Sequence, residues 1–317
     1  MNVAVWRRWR PRENERYVTR SQSYGAGHIF DVVERRMNKL TLPRRRRGNS
    51  PQERAAQLGD IVHEAQYQAT HHERSYGIGE TSKAVYWLWA LVIQAPRAAE
   101  AQAQMNRTPH GYHNKKARLY ELIDFNDAFV SSVLNFPEEL LPIFTDETKR
   151  LIDKMCKRVG TRCFSNEEYE AITHGLSREI AVYRGVKQEG YEVEMTNRAT
   201  DAIGIDMRIT DPVSLCTLNI DTKTRSSYYY RVHDLKREGR LSEEEVLMAE
   251  RNGFARVING SSIPVVLWRI DHVVLGDIVN FEFEDNEFLI EQLRDIFSRY
   301  GICEIRPETI DYTKRIW

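Results

Sequence analysis

The sequence predicts an α/β fold: a central mixed sheet flanked by helices, preceded by a mostly helical N-terminal region. Three observations point to it. Residues 51–158 carry apolar side chains at mixed spacings of three and four, without the alternation of strands. After Ser165 the pattern changes to short alternating runs between helix-like segments, in the order helix, strand, strand, strand, helix, strand, helix. The chain is 317 residues long, 41% hydrophobic and 29% charged, enough for a sizeable buried core.

Residues 1–50 read as a basic arm. The first sixty residues hold 14 Lys or Arg against 6 Asp or Glu, and a short helix is expected around 29–40. Arg44, Arg45, Arg46 and Arg47 follow Pro43 and precede Gly48. A solvated loop and a phosphate contact both suit such a run, because guanidinium groups bind phosphate bidentately. Residues 51–160 read as a helical region, with helices over 51–75, 80–105, 115–134 and 137–158. The apolar run 84–95 (AVYWLWALVIQA) is 12 residues long, too short to span a bilayer, and is expected as a buried core helix.

Residues 161–317 read as the α/β domain. Ser165, with Glu168 three residues later, starts a helix expected to run to about Glu189 and stop at Gly190. Strands are expected over 191–196, 202–210, 215–224 and 263–270. Ser242 and Glu245 open a helix over 241–252, and 286–298 reads as a late helix.

The formal net charge is zero, so the whole-chain balance says nothing about partners, although residues 271–300 carry 8 acids against 2 bases. Cys156, Cys163, Cys216 and Cys303 make no CxxC pair and read as reduced thiols of a cytoplasmic protein. The N-terminus lacks the apolar segment of a secretory signal. There is no GxxxxGK(S/T) loop, no GxSxG and no HExxH. The pairs His71/His72 and His110/His113 lack a partner at zinc-site spacing and read as surface or loop histidines.

The polar residues of the α/β half carry the chemistry. In the 202–210 run, Ile203, Ile205, Met207 and Ile209 fall on one strand face and Gly204, Asp206 and Arg208 on the other. In 218–223, Leu218, Ile220 and Thr222 alternate with Asn219, Asp221 and Lys223, so a carboxylate and an ammonium project from one face. A plain surface ion pair is the simplest account of that pair alone. On the preceding helix, Glu179 falls within the apolar stripe of Ile172, Leu176, Ile180, Tyr183 and Val186, where an acid needs a cation. Two or three carboxylates suit Mg²⁺, and a lysine beside them can orient a water or offset charge building on a phosphate.

From Glu179 through GYEVEMTNRATDAIGIDMRI to LNIDTK, roughly residues 165–270, the chain resembles the PD-(D/E)XK nuclease superfamily. Asp206 matches the first Asp, Asp221 and Lys223 the (D/E)xK pair, and Glu179 the helical acid. Asp201 is similar to the auxiliary acid ahead of the first Asp. Ile205 stands where the family name has proline. The resemblance implies a restriction-endonuclease-like core with a mixed four-stranded sheet. It also implies phosphodiester hydrolysis with Mg²⁺ or Mn²⁺ held by Asp206, Asp221 and Glu179.

The stretch 223–231 (KTRSSYYYR) interleaves Lys223, Arg225 and Arg231 with Tyr228, Tyr229 and Tyr230. Such a stretch suits phosphate contact and base stacking, or equally a loop packing its tyrosines on the sheet edge. The expected partner is nucleic acid, DNA ahead of RNA, with no membrane and with a homodimer as a candidate assembly. Restriction or defence against mobile elements is the expected biology. A non-catalytic nucleic-acid-binding or assembly protein of the same fold, or a nuclease for RNA or branched DNA, are the alternatives.

Overall fold

A computed structural model of the chain describes residues 27–42, 50–71, 82–107, 120–196, 198–201, 203–258 and 262–303. Most of the basic arm, including Arg44 to Arg47, lies outside the described residues.

The N-terminal half is a helical body. It contains α1 (Gly27–Lys39), α2 (Pro51–Ala56), α3 (Gly59–His71), α4 (Lys83–Arg107), α5 (Tyr120–Leu134) and α6 (Leu141–Val159). The single helix expected over 51–75 is two, α2 and α3, parted at Gln57 and Leu58. The helix α2 opens with a full capping box between Ser50 and Glu53. The apolar run at 84–95 belongs to α4, which forms the centre of the body: Leu88, Leu91, Val92 and Ile93 are fully buried. Each such side chain contributes roughly 1.5–3 kcal/mol of burial. Helix α1 also belongs to this body, since Ile29, Phe30, Val33 and Met37 pack into the same core. The helical body therefore includes residues ahead of 51, within the stretch read as a basic arm. Among the described residues no helix is long and apolar enough to cross a membrane.

Helix α7 (Asn166–Gln188) joins the two halves. It begins with the expected capping box between Ser165 and Glu168. It has no single apolar stripe: Leu176 and Ile180 face the helical core, while Ala181, Val182 and Val186 face the sheet. Tyr183 lies outside both, with Lys187 Nζ donating to its hydroxyl at 3.2 Å.

The strands are β1 (Glu192–Met195), β2 (Met207–Thr210), β3 (Cys216–Thr224), β4 (Phe254–Ile258) and β5 (Pro264–Ile270), in spatial order β1-β2-β3-β5-β4. The sheet is mixed: β3 and β5 are parallel, and the other neighbours along this order are antiparallel. A short β8 (Ile302–Cys303) pairs with the start of β3, and β6 (Ile278–Val279) and β7 (Glu282–Phe283) make a separate ribbon. Helices α9 (Arg225–Arg237) and α10 (Glu243–Asn252) supply one covering layer. Helix α12 (Glu287–Tyr300) joins α7 in the other. Two helical turns, α8 (Arg198–Asp201) and α11 (His272–Leu275), complete the chain order.

Three further sequence expectations need correction. The run 202–210 is not one strand. The chain turns through Gly204, at φ +82°, before entering β2. That turn sends Ile205 to the core under α9 and α10, whereas Met207 and Ile209 join the core under α7 and α12. Residues 225–231 are the first two turns of α9, not a loop, because the Thr224 hydroxyl caps the Ser227 N–H at 3.2 Å. Finally, Cys216 is disulfide-bonded while Cys156 and Cys163 are free. Cys216 faces Cys303 in the β3–β8 register. The inference from four free thiols to a reducing compartment therefore falls.

Candidate active site

The acids collect where β2 begins and β3 ends. Met207 pairs with Ile220, so the next step of the antiparallel register sets Asp206 across from Asp221. The Asp206 backbone N–H donates to the Ile220 carbonyl at 2.8 Å. Beyond that point the chain leaves the sheet at Gly204, and the Asp206 side chain takes the place of a missing backbone acceptor. Its Oδ2 accepts from the Thr222 N–H at 2.7 Å and the Thr222 hydroxyl at 2.9 Å. The turn also explains Gly204: its φ favours glycine, and a Cβ there would lie 3.8 Å from Asp221 Oδ2.

Asp221 and Lys223 project from the β3 face beside Leu267 and Arg269 of β5. The Lys223 ammonium donates to Asp221 Oδ1. Asp221 is 6% exposed. Burial pushes its pKa up, Lys223 pulls it down and Asp206 pushes it up again, and the result is about 7. Asp201, at the end of α8, is raised to about 6 by burial and by Asp206. Glu179 of α7 is raised well above the ordinary carboxylate range, by burial first and then by Asp206. Burial would lower the pKa of Lys223, but Asp221 and Asp206 more than offset it and hold the ammonium charged. The fold thus brings Glu179, Asp201, Asp206, Asp221 and Lys223 into one electrostatic cluster, with four carboxyl groups around one ammonium.

No match to this chain is found among protein families, curated proteins or solved structures.

Among the described residues, no three His, Cys, Asp or Glu side chains already stand in the arrangement of a metal site. Lys223 holds one oxygen of Asp221, and Thr222 holds one of Asp206. Asp221 Oδ2 and Asp206 Oδ1 make no hydrogen bond among the described residues. Hard carboxylate oxygens, with Glu179, Asp201 and Asp221 raised in pKa by burial first and by Asp206 as well, fit a divalent cation in type and charge.

The candidate nucleic-acid contacts divide. Tyr228 is fully buried and its hydroxyl donates to the Ala249 carbonyl at 3.0 Å, so it is a core residue and cannot stack on a base. Tyr229 is half-buried and its hydroxyl accepts from Arg269 at 2.7 Å. Arg231 is tied to Glu238 at 3.3 Å and Asp234 at 3.6 Å. Arg225 remains largely exposed at the start of α9, 3.9 Å from Asp271.

Sequence reasoning missed Thr222, which fixes Asp206, and Arg178, which lines a small pocket with Glu179 and Lys223. Thr222 sat in plain view between Asp221 and Lys223. Arg178 had only its position beside Glu179 as a signal.

Proposed function

We propose that this protein is a Mg²⁺- or Mn²⁺-dependent nuclease that hydrolyses phosphodiester bonds in DNA, built on a restriction-endonuclease-like core. The observation that carries the reading is the cluster itself. Four carboxyl groups gather around a single ammonium, a charge imbalance that costs stability unless a cation offsets it. The order of elements lends support: a helix with an acid, then strands bearing Asp206 and the Asp221/Lys223 pair, in a mixed sheet.

Asp206 and Asp221 would hold the cation, with Glu179 as the third carboxylate. When bound, the cation supplies charge neutralisation at the phosphate and makes a water acidic enough to attack it near neutral pH. The protein residues have separate tasks. Thr222 fixes the Asp206 carboxylate from two sides. Lys223, held charged at the edge of the cluster, orients the attacking water or offsets the charge that builds on the phosphate oxygens. Asp201 tunes the field from α8.

The test is cleavage of plasmid DNA, single-stranded DNA and RNA in Mg²⁺, Mn²⁺ or EDTA. Wild type should cut in either metal and not in EDTA, with DNA preferred. Asp221→Ala and Lys223→Ala should each lose at least about 10²-fold in rate. Cutting that survives both substitutions rejects the assignment.

A further inference from the structure

Beside the acid cluster, a pocket of about 120 Å³ opens at the N-terminus of α9. Its walls include Gly175, Arg178 and Glu179 of α7, with Lys223, Thr224 and Ser227 at the junction of β3 and α9. Three independent features suit an anion.

The first is Arg178. It is only 7% exposed, yet its Nε has no hydrogen-bond partner. One end of the guanidinium rests against His174 Nε2, and the other makes only a long 3.5 Å contact with the His174 carbonyl. A buried guanidinium with an unused donor is costly, and an oxyanion is a partner that suits its charge and its free Nε–H. The second is the start of α9, a 13-residue helix whose first-turn amides and dipole favour negative charge. The third is Gly175. A glycine inside a helix costs stability relative to alanine. Gly185 on the same helix has a packing reason, since a Cβ there would lie 2.6 Å from Asn286 Oδ1. Gly175 has none, because a Cβ there would meet nothing within 4 Å. What it leaves open is the pocket. Glu179 and the nearby Asp271 set a limit on the positive field, and Lys223 and Arg178 face them.

We infer that this pocket is a phosphate-binding subsite in which Arg178, Lys223 and the α9 N-terminus grip a phosphate group of the nucleic-acid strand beside the bond to be cut. The assignment rests on the nuclease reading for its substrate, but not for the anion itself. The phosphate is either an internal diester of the strand or a terminal monoester. Both present the same oxyanion to Arg178.

The experiment is done in EDTA, so that binding is read apart from cleavage. Inorganic phosphate is titrated calorimetrically. A short single-stranded DNA, with a 5′-phosphate or a 5′-hydroxyl, is titrated by fluorescence anisotropy. The proteins are wild type, Arg178→Gln, Arg178→Lys and Gly175→Leu, each checked for its fold by circular dichroism. Wild type should bind phosphate. Arg178→Gln and Gly175→Leu should weaken it at least about 10-fold, the scale of one charge-assisted hydrogen bond. Arg178→Lys should recover part of the loss. If Arg178→Gln does not fold, Gly175→Leu decides alone. Tighter binding of the 5′-phosphorylated strand supports a terminal phosphate, and equal binding that still depends on Arg178 supports an internal diester. No phosphate binding by wild type, or binding unmoved in the folded variants, overturns the subsite. Arg178-dependent phosphate binding in a protein that cuts nothing keeps the subsite and removes the nuclease reading. Cleavage with Arg178-independent binding does the reverse.

Discussion

On one face of β3, Leu218 and Ile220 are fully enclosed in a core shared with Val182 and Val186 of α7 and Leu289 and Leu293 of α12. On the other face of the same strand, Asp221 is buried and Lys223 is partly buried beside it, two ionisable groups where the first face has none. The first face follows the ordinary rule for a buried sheet surface: apolar atoms removed from water. The second departs from it. It buries an acid whose one strong partner, Lys223, is shared with three further acids. The contrast separates what the strand needs in order to fold from what it carries at a cost, and the costly face is where function is expected.

Substitutions that exchange the two faces sharpen this. The largest effect is expected for Ile220→Asp, which places a carboxylate among apolar side chains with no cation near. A loss of about 4 kcal/mol or more, or failure to fold, should appear in denaturant unfolding. A loss under about 1 kcal/mol would mean that the two faces are not different in kind.

The reverse change should stabilise. Asp221 has a folded pKa of about 7, above its ordinary value of 3.8. A raised acid pKa means that its contribution to stability is fully present below about pH 4 and lost as pH rises through about 7. Without divalent metal, Asp221→Asn should therefore be more stable than wild type at pH 8 by on the order of 1–3 kcal/mol. The gain should shrink as pH falls towards 4. Thermal melts of both proteins across that range check it. A gain that grows towards low pH, or an outright loss at pH 8, contradicts the account of the site as electrostatically overloaded.

Much of this architecture was legible in the sequence, for local reasons. The alternation of Leu218 and Ile220 with Asp221 and Lys223 has the period of a strand, and β3 forms as expected. The capping boxes at Ser165/Glu168 and Ser242/Glu245 mark helix starts through bonds made within four residues. What stayed hidden depends on long-range contacts or on a single dihedral angle. Ile203, Ile205, Met207 and Ile209 alternate without a break, and nothing in that pattern shows that Gly204 turns the chain. The first two turns of helix α9 carry Ser226, Ser227 and three tyrosines, which are poor helix formers. It is held by the Thr224 cap and by packing of Tyr228, Val232 and Leu235 against β4 and β5. Strand β4 is five residues long and is completed by its pairing with β5. Of the cluster, Asp221 and Lys223 follow the strand period as read, whereas Asp206 and Glu179 were singled out on a continuous strand and a single apolar stripe that the structure does not contain. Arg178 was not singled out, because its environment is set by β3 and α9.

Smaller effects should follow at the residues that hold the costly face in place. Gly204→Ala forces a side chain into the left-handed region next to Asp221 and should cost about 1–2 kcal/mol, visible as a lower melting temperature. Thr222→Val keeps the shape but removes one of two donors to Asp206 Oδ2. About 1 kcal/mol is expected, with a larger proportional loss in cleavage than in stability. Equal and negligible changes in both would show that Asp206 is not positioned by Thr222.

The central claim is that this cluster of acids awaits a divalent cation. Calorimetric titration of Mg²⁺ and Mn²⁺ at pH 8, with wild type, Asp206→Asn and Asp221→Asn, measures it most directly. The account predicts saturable binding by wild type that each substitution weakens at least about 10-fold. No binding by wild type, or binding that both variants retain in full, would contradict it.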